Sequence, residues 1–331
     1  MKAIKNKRRL LMGLISAPAD MNLNKFLYFY GPAISDVAEY DFYDGKRILQ
    51  HEKFDKNKKT VLYLHGYLEN REVESVQVIA DAYLCRSDIN IIIVDWGELA
   101  DGNYLYDAVP NAKQLGPQLS KVLLEMFENG LNIEKFHIVG HSLGGQVAGM
   151  IGREIIDRTK GRLIIPRITA LDPAFPPFYY TYSKHICKTD AKFVDIMHTD
   201  AWLYGSPCST GHADFWPNGG KTLQPGCPKR NYKMLTDNDL SSHRRSWWFW
   251  AESISNKFST KFEAVKSKSW NDFKTGKILP EEDPNLVVYM GEDCPLNITG
   301  DYYLQTNGET PFAKGLSGTK YIDKENEDAK T

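Results

Sequence analysis

Short runs of almost unbroken apolar residues, each followed by a stretch with helical spacing, constrain this chain most. Thr60–Leu64 (T-V-L-Y-L), Asn90–Val94 (N-I-I-I-V) and Phe136–Val139 are such runs, and Ile164–Leu171 and Phe193–Met197 continue the series. A strand with one wet face alternates apolar and polar residues, whereas a strand without that alternation is covered on both faces. Between the runs, Val76, Ile79, Ala80 and Tyr83 fall on one helical face within Glu74–Leu84. Leu115, Leu119, Val122, Leu123 and Met126 mark a second amphipathic helix. Strand and helix in alternation predict an α/β fold, a mostly parallel sheet with helices on both faces. Leu286–Met290 and Tyr302–Leu304 read as further strands completing it. In such sheets the carboxyl ends of strands form the working edge. Here those ends carry small or polar residues: His65-Gly66, Asp95, Gly140 and Asp172.

At 331 residues the chain can bury a large core, and it shows neither an internal repeat nor a convincing second domain. Net charge is −1, so no nucleic-acid partner is expected, and no apolar run reaches the roughly 18 residues of a transmembrane span. Residues 1–24 read either as a signal segment or as an unstructured basic tail. Lys2, Lys5, Lys7, Arg8 and Arg9 precede a short apolar stretch, Leu10–Ser16, and Ala17-Pro18-Ala19 resembles a cleavage site. The first reading implies a secreted protein, and that is the expectation adopted. Residues 201–242, rich in Gly, Pro, Ser and Asn, form a long surface excursion. The charged residues 317–331 read as an unstructured tail. The cysteine count is odd, with Cys85, Cys187, Cys208, Cys227 and Cys294, so at least one thiol has no partner within the chain.

Chemistry concentrates at Ile138–Val147. Ser142 is the centre of G-x-S-x-G (140–144), directly after an apolar run and before a helix-like stretch, Gln146–Ile156. Flanking glycines allow a strand-to-helix turn tight enough to strain the serine and expose its hydroxyl. The helix start behind it offers unpaired N–H groups to a developing oxyanion.

A serine nucleophile needs a base and an orienting acid, expected downstream in the order Ser, Asp or Glu, His for an α/β-hydrolase elbow. His185, His198, His212 and His243 lie downstream, and His243 suits the base role as a loop histidine able to swing onto the serine. His141, beside the serine, is expected to point away from it. Asp172 follows one strand and Asp200 the next, and both remain open as the acid. The oxyanion hole requires the amide of Leu143, after the nucleophile, and a second from an upstream loop. His65-Gly66-Tyr67 supplies the Tyr67 amide.

L-H-G-Y (64–67), V-D-W-G (94–97), G-H-S-L-G-G-Q-V-A-G (140–149), A-L-D-P-A-F-P (170–176) and D-A-K-F-V-D-I-M-H-T-D (190–200) recur in order with G-H-A-D-F-W-P-N-G-G (211–220), Q-P-G-C (224–227), S-S-H-R-R-S (241–246) and L-Q-T-N-G-E-T-P-F-A-K-G (304–315). Together they resemble the pancreatic-lipase family, particularly its compact insect neutral-lipase and phospholipase A1-like members. The resemblance covers about residues 25–316. It implies an α/β-hydrolase fold in one domain, a catalytic set of Ser142, Asp172 rather than Asp200, and His243, and an oxyanion hole of the Tyr67 and Leu143 amides. It implies hydrolysis of acyl glycerolipids at an interface, without a cofactor.

Departures from the family pattern matter. A lid of residues 228–242 is customarily closed by a cysteine pair, but position 241 is serine, so a Cys208–Cys227 bridge is the substitute expected. The lid and the preceding loop are short, which in this family accompanies phospholipase A1 activity. Some members bind calcium ahead of F-V-D. Cys187 stands where a carboxylate belongs, so no metal site is expected. The β-sandwich domain that follows in the longest members is not expected here. Trp247, Trp248 and Trp250 read as core residues before they read as an acyl-chain surface. The competing function is a non-catalytic, yolk-like lipid-binding protein on the same scaffold, and a small-ester esterase is a third reading.

Overall fold

The computed structural model describes residues 18–180, 183–230, 233–255, 257–277 and 286–323. Its strands are β1 (Lys25–Phe29), β2 (Val37–Asp41), β3 (Lys59–Leu64), β4 (Ile89–Asp95), β5 (Phe136–His141), β6 (Arg167–Leu171), β7 (Phe193–Met197), β8 (Ala213–Pro217), β9 (Glu263–Lys266), β10 (Val287–Tyr289) and β11 (Gly300–Leu304). All join one sheet in the order β10-β9-β11-β8-β7-β6-β5-β3-β4-β1-β2. Every pairing from β4 through β3, β5, β6, β7 and β8 to β11 is parallel. Antiparallel pairs close both edges.

Among the described residues, four long helices cover the sheet: α1 (Glu74–Leu84), α2 (Val109–Glu128), α3 (Leu143–Thr159) and α4 (Asp237–Ile254), with a short α5 (Trp270–Lys274) near one edge. Side chains alternate across a strand, so each central strand feeds two cores. Leu62, Leu64, Ile92 and Val94 face Leu115 and Leu119 of α2 and Val147 and Ile151 of α3. Val61, Tyr63, Ile91 and Ile93 face Val76, Ile79 and Tyr83 of α1 and Trp247 and Trp250 of α4. Each fully buried aliphatic side chain contributes about 1.5–3 kcal/mol. Double coverage explains why these strands lack polar alternation, and the architecture is the α/β-hydrolase fold.

Several boundaries differ from expectation. β6 starts at Arg167 rather than Ile164, because Pro166 has no N–H for a ladder and the Ile165 carbonyl is taken by Lys192 N–H at 2.9 Å. Ala19 N–H donates to Gln114 of α2 at 2.9 Å, and Met21–Leu23 form a 3₁₀ turn capped by Asp20. Residues 18–24 are therefore packed on the domain, while residues 1–17 lie outside the described residues. At the other end, Tyr321 packs edge-on against Trp270 at 5.6 Å, and Ile322 N–H donates to Gln305 at 2.8 Å. The expected tail from 317 thus joins the fold as far as 322, and 324–331 are outside the described residues. Trp247 and Trp250 are buried, with Trp250 Nε1 donating to Tyr83 Oη at 3.1 Å, and Trp248 packs half-buried on the same core.

Candidate active site

Ser142 occupies the turn between β5 and α3 with φ 53° and ψ −118°, a region that costs an L-residue about 1–3 kcal/mol. Neighbouring backbone holds it there. Ser142 N–H donates to Leu171 O at 2.9 Å, and Gly145 and Ala174 N–H groups donate to Ser142 O, each at 3.0 Å. The glycines are required by contact rather than by flexibility. A methyl on Gly140 would lie 2.3 Å from Gly144 O, and one on Gly144 would lie 2.2 Å from Leu64 O. This close approach sets the first turn of α3, which begins at Leu143, against the carboxyl end of β3. The 17-residue α3 then directs its positive dipole end at the turn.

Asp172, at the carboxyl end of β6, is fully buried and also has positive φ, 46°. Its Oδ2 lies 2.6 Å from His243 Nδ1. Its Oδ1 accepts the Thr199 and Asp200 amides at 2.8 and 3.1 Å. Four points thus fix one carboxylate: two donors, the imidazole and its own backbone, since Asp172 N–H donates to Met197 O at 2.7 Å. An anion on Nδ1 fixes the tautomer that leaves Nε2 free to take a proton. Gly205 closes over the acid, and a methyl there would stand 2.1 Å from Asp172 Oδ1.

Asp200, the alternative acid, plays another part. It is buried, and neither of its oxygens nor the nearby Thr222 hydroxyl has a well-formed hydrogen-bond partner among the described residues. Burial, with the neighbouring Asp172 carboxylate, pushes its carboxyl up to about 7. Asp200 therefore contributes its amide to Asp172, not its carboxylate to His243.

His243 is not on a mobile loop. Thr236 caps α4 at Asp239 N–H, so the helix starts before the histidine and His243 sits buried in its second turn. The other downstream histidines are engaged elsewhere. His198 Nε2 meets Asp214 at 2.8 Å, with its ring stacked 3.7 Å from Trp216. His212 Nδ1 accepts Val194 N–H at 3.0 Å, and His185 Nδ1 meets the Phe178 carbonyl at 3.2 Å. The His141 ring lies 4.8 Å from that of His243.

The upstream loop is tied down from several sides. Trp96 N–H donates to His65 Nε2 at 3.1 Å, so Nδ1 carries the proton and donates to Gly66 O at 3.1 Å. Leu68 N–H donates to Ala100 O at 3.1 Å, and Tyr67 Oη donates to Gly102 O at 2.6 Å. A methyl on Gly66 would lie 3.1 Å from Ser142 Cβ, which brings the Tyr67 segment against the serine turn.

Around this edge stand exposed apolar side chains. Leu68 adjoins Tyr67. Trp202 and Tyr180 flank Phe175 at 6.1 and 5.8 Å, and Leu235 N–H donates to Tyr204 Oη, whose ring lies 5.7 Å from His243. Leu68, Trp202 and Leu235 all have positive φ, 58°, 74° and 62°. Within the expected lid, Arg230 Nε donates to Asp239 Oδ1 at 2.7 Å, and Tyr204 Oη and Leu235 N–H also donate to that carboxylate. Residues 231–232 of the lid lie outside the described residues.

Cys208 and Cys227 are free thiols, as are the other three cysteines, so the expected bridge is not formed. Cys227 belongs to a turn whose Gly226 packs on Gly308, whereas Cys208 lies within electrostatic reach of Asp214. Ahead of β7, Arg153 clamps Asp190 at 3.0 and 2.9 Å, and Cys187 N–H donates to the same carboxylate. That carboxylate is committed to a guanidinium.

The sequence matches the family model described as Lipase over residues 20–312. It is similar to pancreatic triacylglycerol lipase of Mus musculus, 30% identical, with 92% of this chain and 68% of that protein covered. It is equally similar to inactive pancreatic lipase-related protein 1 of Canis lupus familiaris, 30% identical over 82% of this chain and 60% of that one. The chain thus spans 60–68% of the length of these two relatives. A solved Pyrococcus furiosus esterase aligns over 46% of this chain and 66% of its own, at 16% identity and TM-score 0.31.

Proposed function

The chain belongs to the lipase family, and from that premise we propose that it is a serine carboxylester hydrolase of acyl glycerolipids. In this reading His243 Nε2 takes the Ser142 proton as Oγ attacks the ester carbonyl. The Tyr67 and Leu143 amides stabilise the tetrahedral oxyanion, and collapse expels the alcohol with the proton returned by His243. Water, deprotonated by the same histidine, then cleaves the acyl-enzyme and regenerates Ser142. Asp172 stays ionised and stabilises the imidazolium.

One observation carries the reading: the 2.6 Å contact between Asp172 and His243 at the same sheet edge as a strained, positive-φ Ser142. The exposed apolar residues around that edge support a substrate presented at a lipid surface. Between the two ester classes, phospholipase A1 activity is favoured over triacylglycerol hydrolysis, because the short lid obstructs a polar head group less. A non-catalytic lipid-binding protein is the competing reading, and the inactive relative keeps it in view.

Both are tested by hydrolysis of long-chain phosphatidylcholine, a triacylglycerol and a short-chain ester, beside Ser142→Ala. Phosphatidylcholine hydrolysis lost in Ser142→Ala supports the proposal. Equal rates for wild type and Ser142→Ala on every substrate leave only the binding reading.

A further inference from the structure

The carboxylate of Glu69 lies between the two segments expected to supply the oxyanion hole. Its Oε2 accepts Gly66 N–H at 2.6 Å, the amide immediately before Tyr67. The same carboxylate lies 3.3 Å from His141 Nδ1, the residue immediately before Ser142. The Glu69 side chain is only 15% exposed, and His141 is buried. Glu69 is the hydrogen-bond partner of the His141 ring among the described residues, since the buried Nε2 has none. That ring also lies 4.8 Å from the ring of His243.

Burial alone would raise the Glu69 carboxyl, but His141 and the Gly66 amide hold it down at about 2, so the group is an anion at working pH. A charge-assisted bond from a backbone N–H is stronger than a neutral one, and here the anion is fixed at both ends. Mechanically, one carboxylate ties the loop after β3 to the turn after β5. A hole built from one amide on each segment depends on that distance, because its donors must meet an oxyanion within about 2.7–3.1 Å.

We propose that Glu69 is a positioning residue for the oxyanion hole, setting the Tyr67 amide against the Leu143 amide through its joint hold on Gly66 and His141. It touches no reacting atom itself. The inference rests on the hydrolase reading above and deepens it.

The test compares Glu69→Ala, Glu69→Gln and Glu69→Asp with wild type and with Glu72→Ala, an exposed neighbour in the same loop. Readouts are kcat and KM on p-nitrophenyl butyrate, the labelling rate of Ser142 by a fluorophosphonate, the melting temperature, and amide exchange in a peptide spanning residues 62–70. Mispositioning by about an ångström costs on the order of 100-fold. Glu69→Ala is therefore expected to lower kcat and labelling about 10- to 100-fold at unchanged KM, with faster exchange confined to that peptide. Glu69→Gln, which keeps an acceptor for Gly66, is expected to fall between, and Glu69→Asp to recover part of the rate.

Wild-type kcat in Glu69→Ala overturns the proposal, as does a loss that the melting temperature and the Glu72→Ala control share. If wild type itself neither hydrolyses ester nor labels, the hydrolase reading fails instead. The exchange measurement then still decides whether Glu69 holds the loop, and unchanged exchange in Glu69→Ala removes that role too.

Discussion

Asp172 Oδ2 and His243 Nδ1 meet at 2.6 Å although 71 positions separate them, and both side chains are buried. A strand end supplies one partner and the second turn of a helix the other. The amides of Thr199 and Asp200 brace the acid, so the pair is formed before any substrate arrives.

Neutralising that acid while keeping its shape is therefore expected to be severe. Asp172→Asn should lower kcat about 10³- to 10⁴-fold by allowing the wrong imidazole tautomer. Ser142→Ala and His243→Ala should be comparably deficient, and Ser142→Ala/His243→Ala little worse than either single change. Steady-state kinetics on a soluble ester reads this directly. Additive losses would mean that the three residues do not act as a unit.

Asp200 should impose a pH dependence on stability. Its folded-state carboxyl is raised to about 7 from an ordinary 3.8, so the native state binds the proton more tightly than the unfolded chain. The resulting stabilisation is complete below pH 4 and is lost as the pH rises through about 7, falling by at most ~1.4 kcal/mol for each pH step of one across that window. Asp200→Asn should flatten the denaturation midpoint between pH 4 and 7 and exceed wild type in stability at pH 8. Equal slopes for the two proteins would rule out Asp200 as the titrating group.

Gly205 has an ordinary backbone conformation, so alanine there tests contact alone. With its methyl 2.1 Å from Asp172 Oδ1, Gly205→Ala must push the acid or the loop aside. Overpacking of this kind costs about 1–3 kcal/mol. Chemical denaturation should report that loss, together with a fall in kcat. A fully active Gly205→Ala would contradict the rigid placement of Asp172.

Trp202 is 62% exposed and Leu68 46%. Transferring a large apolar side chain from water to lipid is worth about 1.5–3 kcal/mol, so Trp202→Ser should weaken binding to phosphatidylcholine vesicles roughly tenfold or more. Leu68→Ser should act in the same direction. Turnover of a monomeric ester should not change for Trp202→Ser. A matching loss on both substrates would assign Trp202 to the fold rather than to the lipid surface.

Much of this architecture is legible in the residues alone. Thr60–Leu64 and Asn90–Val94 are unbroken apolar runs because two helical layers bury them, and a doubly buried strand leaves that mark in its composition. β2 leaves no such mark: Val37–Asp41 is an edge strand, and most of its side chains are only partly covered. The Ser142 turn is readable because steric contact at Gly140 and Gly144 admits little besides glycine. His243 is harder. The polar run from Ser241 to Ser246 suggests a loop, while the start signal sits further back, where Thr236 caps Asp239. The approach of His141 to His243, and of Glu69 to both segments, arises from how three strand ends sit side by side. No local spacing encodes it.

The helix that carries His243 also carries Trp247 and Trp250, and both indoles are sunk in the layer shared with α1. The His243 imidazole is thus bolted to the most voluminous side chains in that layer. Heat or mutation that loosens the aromatic packing will unseat the imidazole in the same event, so thermal inactivation and loss of near-ultraviolet tryptophan dichroism should follow a single curve.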